Sequence, residues 1–171
     1  TLFGSGFVAG NTGVLLNNEM DDFAASEQAQ NIYGLAGSRA NRIAPGKRPL
    51  SSMSPTFVED KRGVLILGTP GGSRIISMVL LAILGLEATP APDVVALVSA
   101  PRFHHQYLPD RIEVEPDAFS AEILDELTLK GHVVHLAQHK WGNMQAVWID
   151  RASGRAFAAS DPRSAGGALA W

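Results

Sequence analysis

An α+β fold is predicted, on three observations. A fully apolar strand, Val64–Leu67, runs through a glycine turn into an apolar helix. Two further strands, Gln145–Asp150 and Ala156–Ala159, are joined by the short turn Arg151–Gly154. Strands and helices mix without the strict alternation that a doubly wound α/β sheet requires.

Taken in order, residues 1–23 read as turn, short strand, turn, strand. Phe7-Val8-Ala9 and Val14-Leu15-Leu16 flank Gly10-Asn11-Thr12-Gly13, whose turn chemistry predicts a hairpin or tight bend. From Asn17 to Pro55 there is little periodicity, and isolated Tyr33, Leu35 and Ile43 stand among Asn, Ser, Gly and Pro. A loop this long in a compact domain is commonly functional or disordered. Order returns at Thr56-Phe57-Val58, turns at Glu59–Gly63 and continues in Val64–Leu67. A helix is predicted over Ser73–Leu84, stopping near Gly85, and another from Pro92 to about Ala100 with Asp93 in its first turn. Arg111–Glu115 alternates as a strand does. Ser120 is the predicted N-cap of a helix through Lys130, with Gly131 just past its end and Ile123, Leu124 and Leu127 on its buried face. Strands are expected at His132–Leu136, Gln145–Asp150 and Ala156–Ala159.

A length of 171 residues suits one domain, 1–171, with a real core. Apolar residues make up 46% and charged residues 18%, an ordinary globular composition. A net charge of -3, with no Lys/Arg run, argues against nucleic acid or an anionic membrane as the main partner. The chain has no cysteine, which excludes disulfides and thiolate metal sites. The longest apolar stretch, Ile75–Leu86, contains Ser77 and Gly85 and is too short to span a bilayer. No signal peptide is visible, and the abrupt start Thr1-Leu2-Phe3 reads as a processed or truncated piece.

Four segments are candidates for chemistry. In Gly68-Thr69-Pro70-Gly71-Gly72-Ser73-Arg74, adjacent glycines at a helix entrance present backbone N–H groups to a phosphate, a carboxylate or an oxyanion. A phosphate loop is excluded because no Lys-Ser or Lys-Thr follows, and a dinucleotide fingerprint because the glycine spacing is wrong. Glu19 and Asp22, three apart in Asn17–Phe23, can face one point in a helical or tight turn, which suits an ammonium group; a solvated acidic turn and a metal site are the alternatives, though the spacing is not that of an EF-hand loop. Ser51 and Ser52, held between Pro49 and Pro55, have hydroxyls to offer a carboxylate. His104 and His105 are adjacent, and neighbouring side chains seldom converge on one ion, so a structural role is expected rather than a metal site. An acidic pair, a serine pair and a glycine pair together describe recognition of an α-amino acid whose side-chain acyl group reacts. No Cys nucleophile and no G-x-S-x-G elbow is present.

Asn17–Phe23, Arg48–Pro55, Gly68–Arg74, Pro101–Gln106 and Ser160-Asp161-Pro162-Arg163, in this order, resemble the γ-glutamyltranspeptidase small subunit. The resemblance runs from Phe3 to near Trp171 and implies an N-terminal-nucleophile hydrolase, an αββα four-layer sandwich of which this chain is the C-terminal part. It implies an enzyme acting on glutathione and other γ-glutamyl compounds, with no cofactor and no metal. A zymogen precursor cleaves itself into large and small subunits, and the new terminal Thr attacks the γ-glutamyl amide with its own amine as base. Glu19 and Asp22 would bind the substrate amine and Ser51 and Ser52 its carboxylate, with Ser52 also near the amine. The Gly71 and Gly72 N–H groups would form the oxyanion hole, and Tyr33 would sit in a lid-like loop, residues 24–46. Thr1 is not the nucleophile in this alignment, which puts the attacking Thr about twenty residues upstream of it. Implied partners are the large subunit, an N-terminal segment of the small subunit, and an acceptor amino acid, peptide or water, with a periplasmic or secreted location. Two other readings are an acylase of the same superfamily acting on cephalosporin or glutaryl side chains, and a catalytically silent fragment.

Overall fold

A computed structural model describes residues 4–27 and 29–169. Thr1, Phe3 and Trp171, on which parts of the sequence reading fall, lie outside them. The chain forms two compact units, Thr1–Ser52 and Met53–Trp171.

Among its described residues, the first unit is held by turns and short bridges rather than by sheets. Its predicted hairpin is present as the antiparallel bridge Val8↔Leu15, closed by the Ala9 N–H on the Val14 carbonyl at 2.9 Å. The long aperiodic stretch contains two 3₁₀ turns, Glu19–Asp22 and Arg39–Asn41, and a parallel bridge Ala24↔Arg42.

The second unit begins with β1 (Thr56–Glu59) and β2 (Gly63–Gly68), an antiparallel pair. Asp60 shapes the turn by accepting the N–H groups of Arg62 and Gly63 at 2.6 and 3.2 Å. β2 feeds α1 (Arg74–Glu87), followed by α2 (Val94–Ser99), β3 (Phe103–Gln106) and β4 (Arg111–Val114). Then come α3 (Ala121–Leu129), β5 (Val134–Leu136), β6 (Gln145–Asp150) and β7 (Ala156–Ser160). One sheet has the order β1-β2-β6-β7, all antiparallel; the other is β3-β4-β5, with β5 parallel to β4 after the α3 crossover. The core lies between the four-stranded sheet and helices α1 and α2, and it centres on Leu65, Met78, Leu86, Val98, Met144 and Trp148.

Gly85 does not stop α1, which continues to Glu87. It lies where α2 crosses: a Cβ there would sit 2.8 Å from Leu97 Cδ2, so the glycine serves close helix packing. Asp93 is the N-cap of α2 rather than part of its first turn, accepting the Val95 and Ala96 N–H groups at 2.9 and 3.1 Å. Ser120 caps α3 as predicted. The predicted buried face of α3 is only half covered among the described residues: Leu124 and Leu127 are half-buried and Ile123 is exposed. β3 was not legible as a strand, because it pairs along one edge only and carries two histidines in place of β-branched residues.

Two sequence segments, Pro101–Gln106 and Ser160–Arg163, meet in a buried charge cluster. Arg102 pairs with Asp161 at 2.6 Å, and Arg163 pairs with Asp161 at 3.0 Å and with Glu115 at 2.7 Å. The side chains of Glu115 and Asp161 are wholly buried. Burial works to raise the Asp161 pKa, but the Met144 and Arg163 N–H groups and both guanidiniums outweigh it and hold the carboxyl below its usual range. Removing one member of such a cluster strands the others without partners. Asp161→Ala is therefore expected to lower stability by about 3–5 kcal/mol; urea unfolding of variant and parent measures it, and a difference below about 1 kcal/mol contradicts the assignment.

Candidate active site

In the first unit the acidic turn is set by Asn17, whose Oδ1 accepts the Glu19 N–H at 3.0 Å. Glu19 is exposed and Asp22 half-buried. Partial burial pushes the Asp22 carboxyl above its ordinary value of 3.8, and the neighbouring charges of Glu19 and Asp21 add to the rise. Tyr33 and Asp22 line one cavity, together with Asn18, Asp21 and Asn31. Asn31 holds the Tyr33 loop by accepting the N–H groups of Tyr33 and Leu35 at 3.0 and 3.1 Å.

Sequence reasoning missed Asn41. Its side-chain Nδ2 donates to the Asp22 carbonyl at 2.7 Å, and its Oδ1 accepts the Leu50 N–H at 3.0 Å. One amide therefore ties the acidic turn to the backbone that leads directly into Ser51 and Ser52. Ser51 is exposed and Ser52 half-buried. Nothing in the sequence marks this residue, because its partners are backbone atoms 19 and 9 positions away.

In the second unit the glycine turn joins β2 to α1. Gly71 has φ 144° and Gly72 has φ 58°, both in the region that side-chain-bearing residues avoid. Their carbonyls accept the Arg74 and Ile75 N–H groups at 3.2 and 3.1 Å. Their own N–H groups meet no acceptor among the described residues, so the turn presents two adjacent donors at a helix entrance. Thr69 Oγ1 accepts the Asn143 N–H at 3.3 Å and so fixes the turn's first half.

The two histidines do separate jobs, as expected of a structural pair. His105 is exposed and pairs with Asp110 at 2.9 Å. His104 is 5% exposed and lies between Ser77 Oγ (2.7 Å) and Gln106 Oε1 (2.9 Å).

The N-terminal-nucleophile hydrolase fold is shared with solved γ-glutamyltranspeptidases. A Pseudomonas nitroreducens enzyme complexed with L-DON is 40% identical, with a TM-score of 0.84 over 98% of this chain and 86% of that one. A Helicobacter pylori enzyme is 41% identical, with a TM-score of 0.86 over 94% and 87%. The family model for gamma-glutamyltranspeptidase matches residues 1–171, and the chain belongs to that family. The glutathione hydrolase proenzyme of Escherichia coli (strain K12) is 47% identical over 165 residues, 96% of this chain and 28% of that protein. The chain thus spans less than a third of that curated relative's length.

Burial holds the His104 imidazole below its ordinary 6.5; Arg74 and His105 press the same way, against Gln106 and Glu113. The unfolded chain therefore binds a proton that the folded chain does not. Stability is fully present above about pH 6.5 and is lost as pH falls through the depressed value. Melting temperature is expected to fall as pH is lowered from about 7 to 5, and His104→Asn to flatten that slope; an unchanged slope contradicts a buried neutral imidazole.

Proposed function

We propose that this chain supplies the substrate clamp and the oxyanion donors of a γ-glutamyltransferase, an enzyme that transfers or hydrolyses the γ-glutamyl group of glutathione and related compounds. The observation that carries the reading is the Asn41 bridge, which sets an acidic turn beside a serine pair. An α-amino acid head presents those two charges, an ammonium and a carboxylate, and needs both kinds of partner.

In this reading Glu19 and Asp22 hold the glutamyl ammonium, and Ser51 and Ser52 donate to its carboxylate. The attacking hydroxyl belongs to a terminal Thr that the family resemblance places upstream of Thr1. Its α-amine takes the hydroxyl proton as the oxygen adds to the γ-carbonyl. The oxygen of the tetrahedral intermediate gains negative charge, which the Gly71 and Gly72 N–H groups meet with preorganised donors. Collapse expels the leaving amine with the proton that the α-amine took and leaves a γ-glutamyl ester. Water or an acceptor amine then attacks the ester, the same amine removing its proton, and the Thr hydroxyl is restored. Residues 24–46 act as a lid, with Tyr33 closing over the ammonium side of the clamp. The support is Tyr33's place in the cavity that Asp22 lines.

A large subunit from the same precursor is the proposed partner, in an exported protein. Its support is an apolar stripe on α1, where Ile76, Leu80 and Leu84 recur every fourth residue and are 61%, 53% and 54% exposed. The acylase reading is weaker, because an acyl chain without an α-amino acid head leaves the acidic turn without a charge to bind. No helix among the described residues is long and apolar enough to cross a membrane.

Asp22→Ala, in the processed two-subunit enzyme, is expected to raise KM for glutathione roughly 10- to 100-fold, the range for losing a charge-assisted bond. Unchanged kinetics remove Asp22 from the site. Because its pKa is raised, KM is also expected to climb on acidification before an ordinary carboxylate of 3.8 would protonate. Asn41→Leu is expected to raise KM several-fold with kcat retained, since it loosens the clamp without touching the reacting carbonyl. A fall in kcat at constant KM contradicts that role.

A further inference from the structure

The clamp and the glycine donors leave one polar constellation unused: the buried His104 and its partners. Gln106 Nε2 donates to the Leu108 carbonyl at 2.7 Å, which fixes which way its amide faces. Gln106 Oε1 then accepts from Ser73 Oγ at 2.8 Å and from His104 Nε2 at 2.9 Å. With its Nε2 protonated, His104 accepts the Ser77 hydroxyl at Nδ1, 2.7 Å away. Ser73 and Ser77 are four residues apart at the start of α1 and so share one helix face. Four side chains thus bind the first turn of α1 to β3 in a single chain of hydrogen bonds.

Ser73 follows Gly72 directly, and the carbonyls of Gly71 and Gly72 cap the same turn of helix. Arg74, next in sequence, is ion-paired with Glu113 of β4, and its guanidinium lies 4.8 Å from the centre of the Trp141 ring. The helix body is already secured by Ile75, Met78 and Val79 in the core. A half-buried polar chain centred on the buried His104 adds no comparable apolar burial; it fixes direction.

We propose that His104 and Gln106 are positioning residues that aim the Gly71 and Gly72 N–H groups by locking Ser73 and Ser77 at the entrance of α1. The proposal rests on the reading of those two N–H groups as oxyanion donors. Donors of this kind act only when aimed at the place where charge develops, and a misplacement of about 1 Å costs on the order of 100-fold in rate. In this proposal the relay acts on the donors rather than on the groups that hold the ammonium and carboxylate, so its loss moves kcat and spares KM.

The test uses the processed two-subunit enzyme with γ-glutamyl-p-nitroanilide. Ser73→Ala and Gln106→Leu are each expected to lower kcat roughly tenfold or more, with KM for the donor changed less than about twofold. Ser73→Thr, which keeps the hydroxyl, is expected to restore most of the rate. The double variant should be no slower than the slower single one, because both break one relay. A kcat within about twofold of the parent for both single variants, or losses that multiply in the double variant, overturns the proposal. Gly72→Val separates the two levels of inference. Full activity in that variant sinks the oxyanion reading and the relay with it, whereas an inactive Gly72→Val beside fully active relay variants sinks the relay alone.

Discussion

The second unit depends on four charges that have left water together. Arg102, Glu115 and the neighbours Asp161 and Arg163 come from three separate places in the chain, and their formal charges cancel. Desolvation costs several kcal/mol per ion, so the cluster persists only because its bonding is complete. Arg102 and Arg163 both donate to the Val98 carbonyl, and Arg163 also to that of Ala100, which supplies the last turn of α2 with the donors it lacks. Arg102 also reaches the Trp141 carbonyl, while Glu115 takes the Arg102 and Trp141 N–H groups and Asp161 takes that of Met144. One helix end, two sheets and the approach to β6 are thereby held in one arrangement.

The same cluster borders the glycine turn through Met78. A Cβ on Gly142 would lie 2.5 Å from both Arg102 Nη1 and Met78 Sδ, and a Cβ on Gly71 would lie 2.6 Å from Met78 Cε. Met78 fills the gap between ion cluster and turn, with small residues on either side where the backbone comes close. From the other direction, the Ser73–Gln106–His104–Ser77 chain fixes the helix that the turn opens. The two N–H donors therefore sit on backbone restrained on both sides.

The first unit is built differently. Among the described residues it has 3₁₀ turns and single bridges instead of a sheet, with Asn31 bonding nearby backbone and Asn41 bonding backbone 9 and 19 positions away. Loops of that kind suit a site that must admit a charged head group and close over it. In the proposed reading, a rigid donor pair and an adjustable clamp divide the work of acyl transfer, one stabilising charge as it develops and the other choosing the substrate.

Much of this was legible in the sequence, for local reasons. β2, the glycine turn and α1 follow from an apolar run broken by two glycines, and the caps at Asp93 and Ser120 from side chains that bond their own helix. The residue types of the proposed clamp and oxyanion turn were readable because each chemistry admits few choices. What the sequence did not disclose depends on partners far along the chain. Gly85 has the look of a helix stop and is a packing contact for α2; Asn41 has the look of a loop residue and ties Asp22 to the serine segment. His104 reads as a structural histidine, and only its distant partners make it the buried centre of a hydrogen-bond relay. The sequence by itself determined which groups this protein brings to its chemistry, because charge and hydrogen-bonding capacity belong to the residue. Only the tertiary structure decided which of them meet and what holds them in aim, because that geometry arises where segments tens of residues apart are buried against each other.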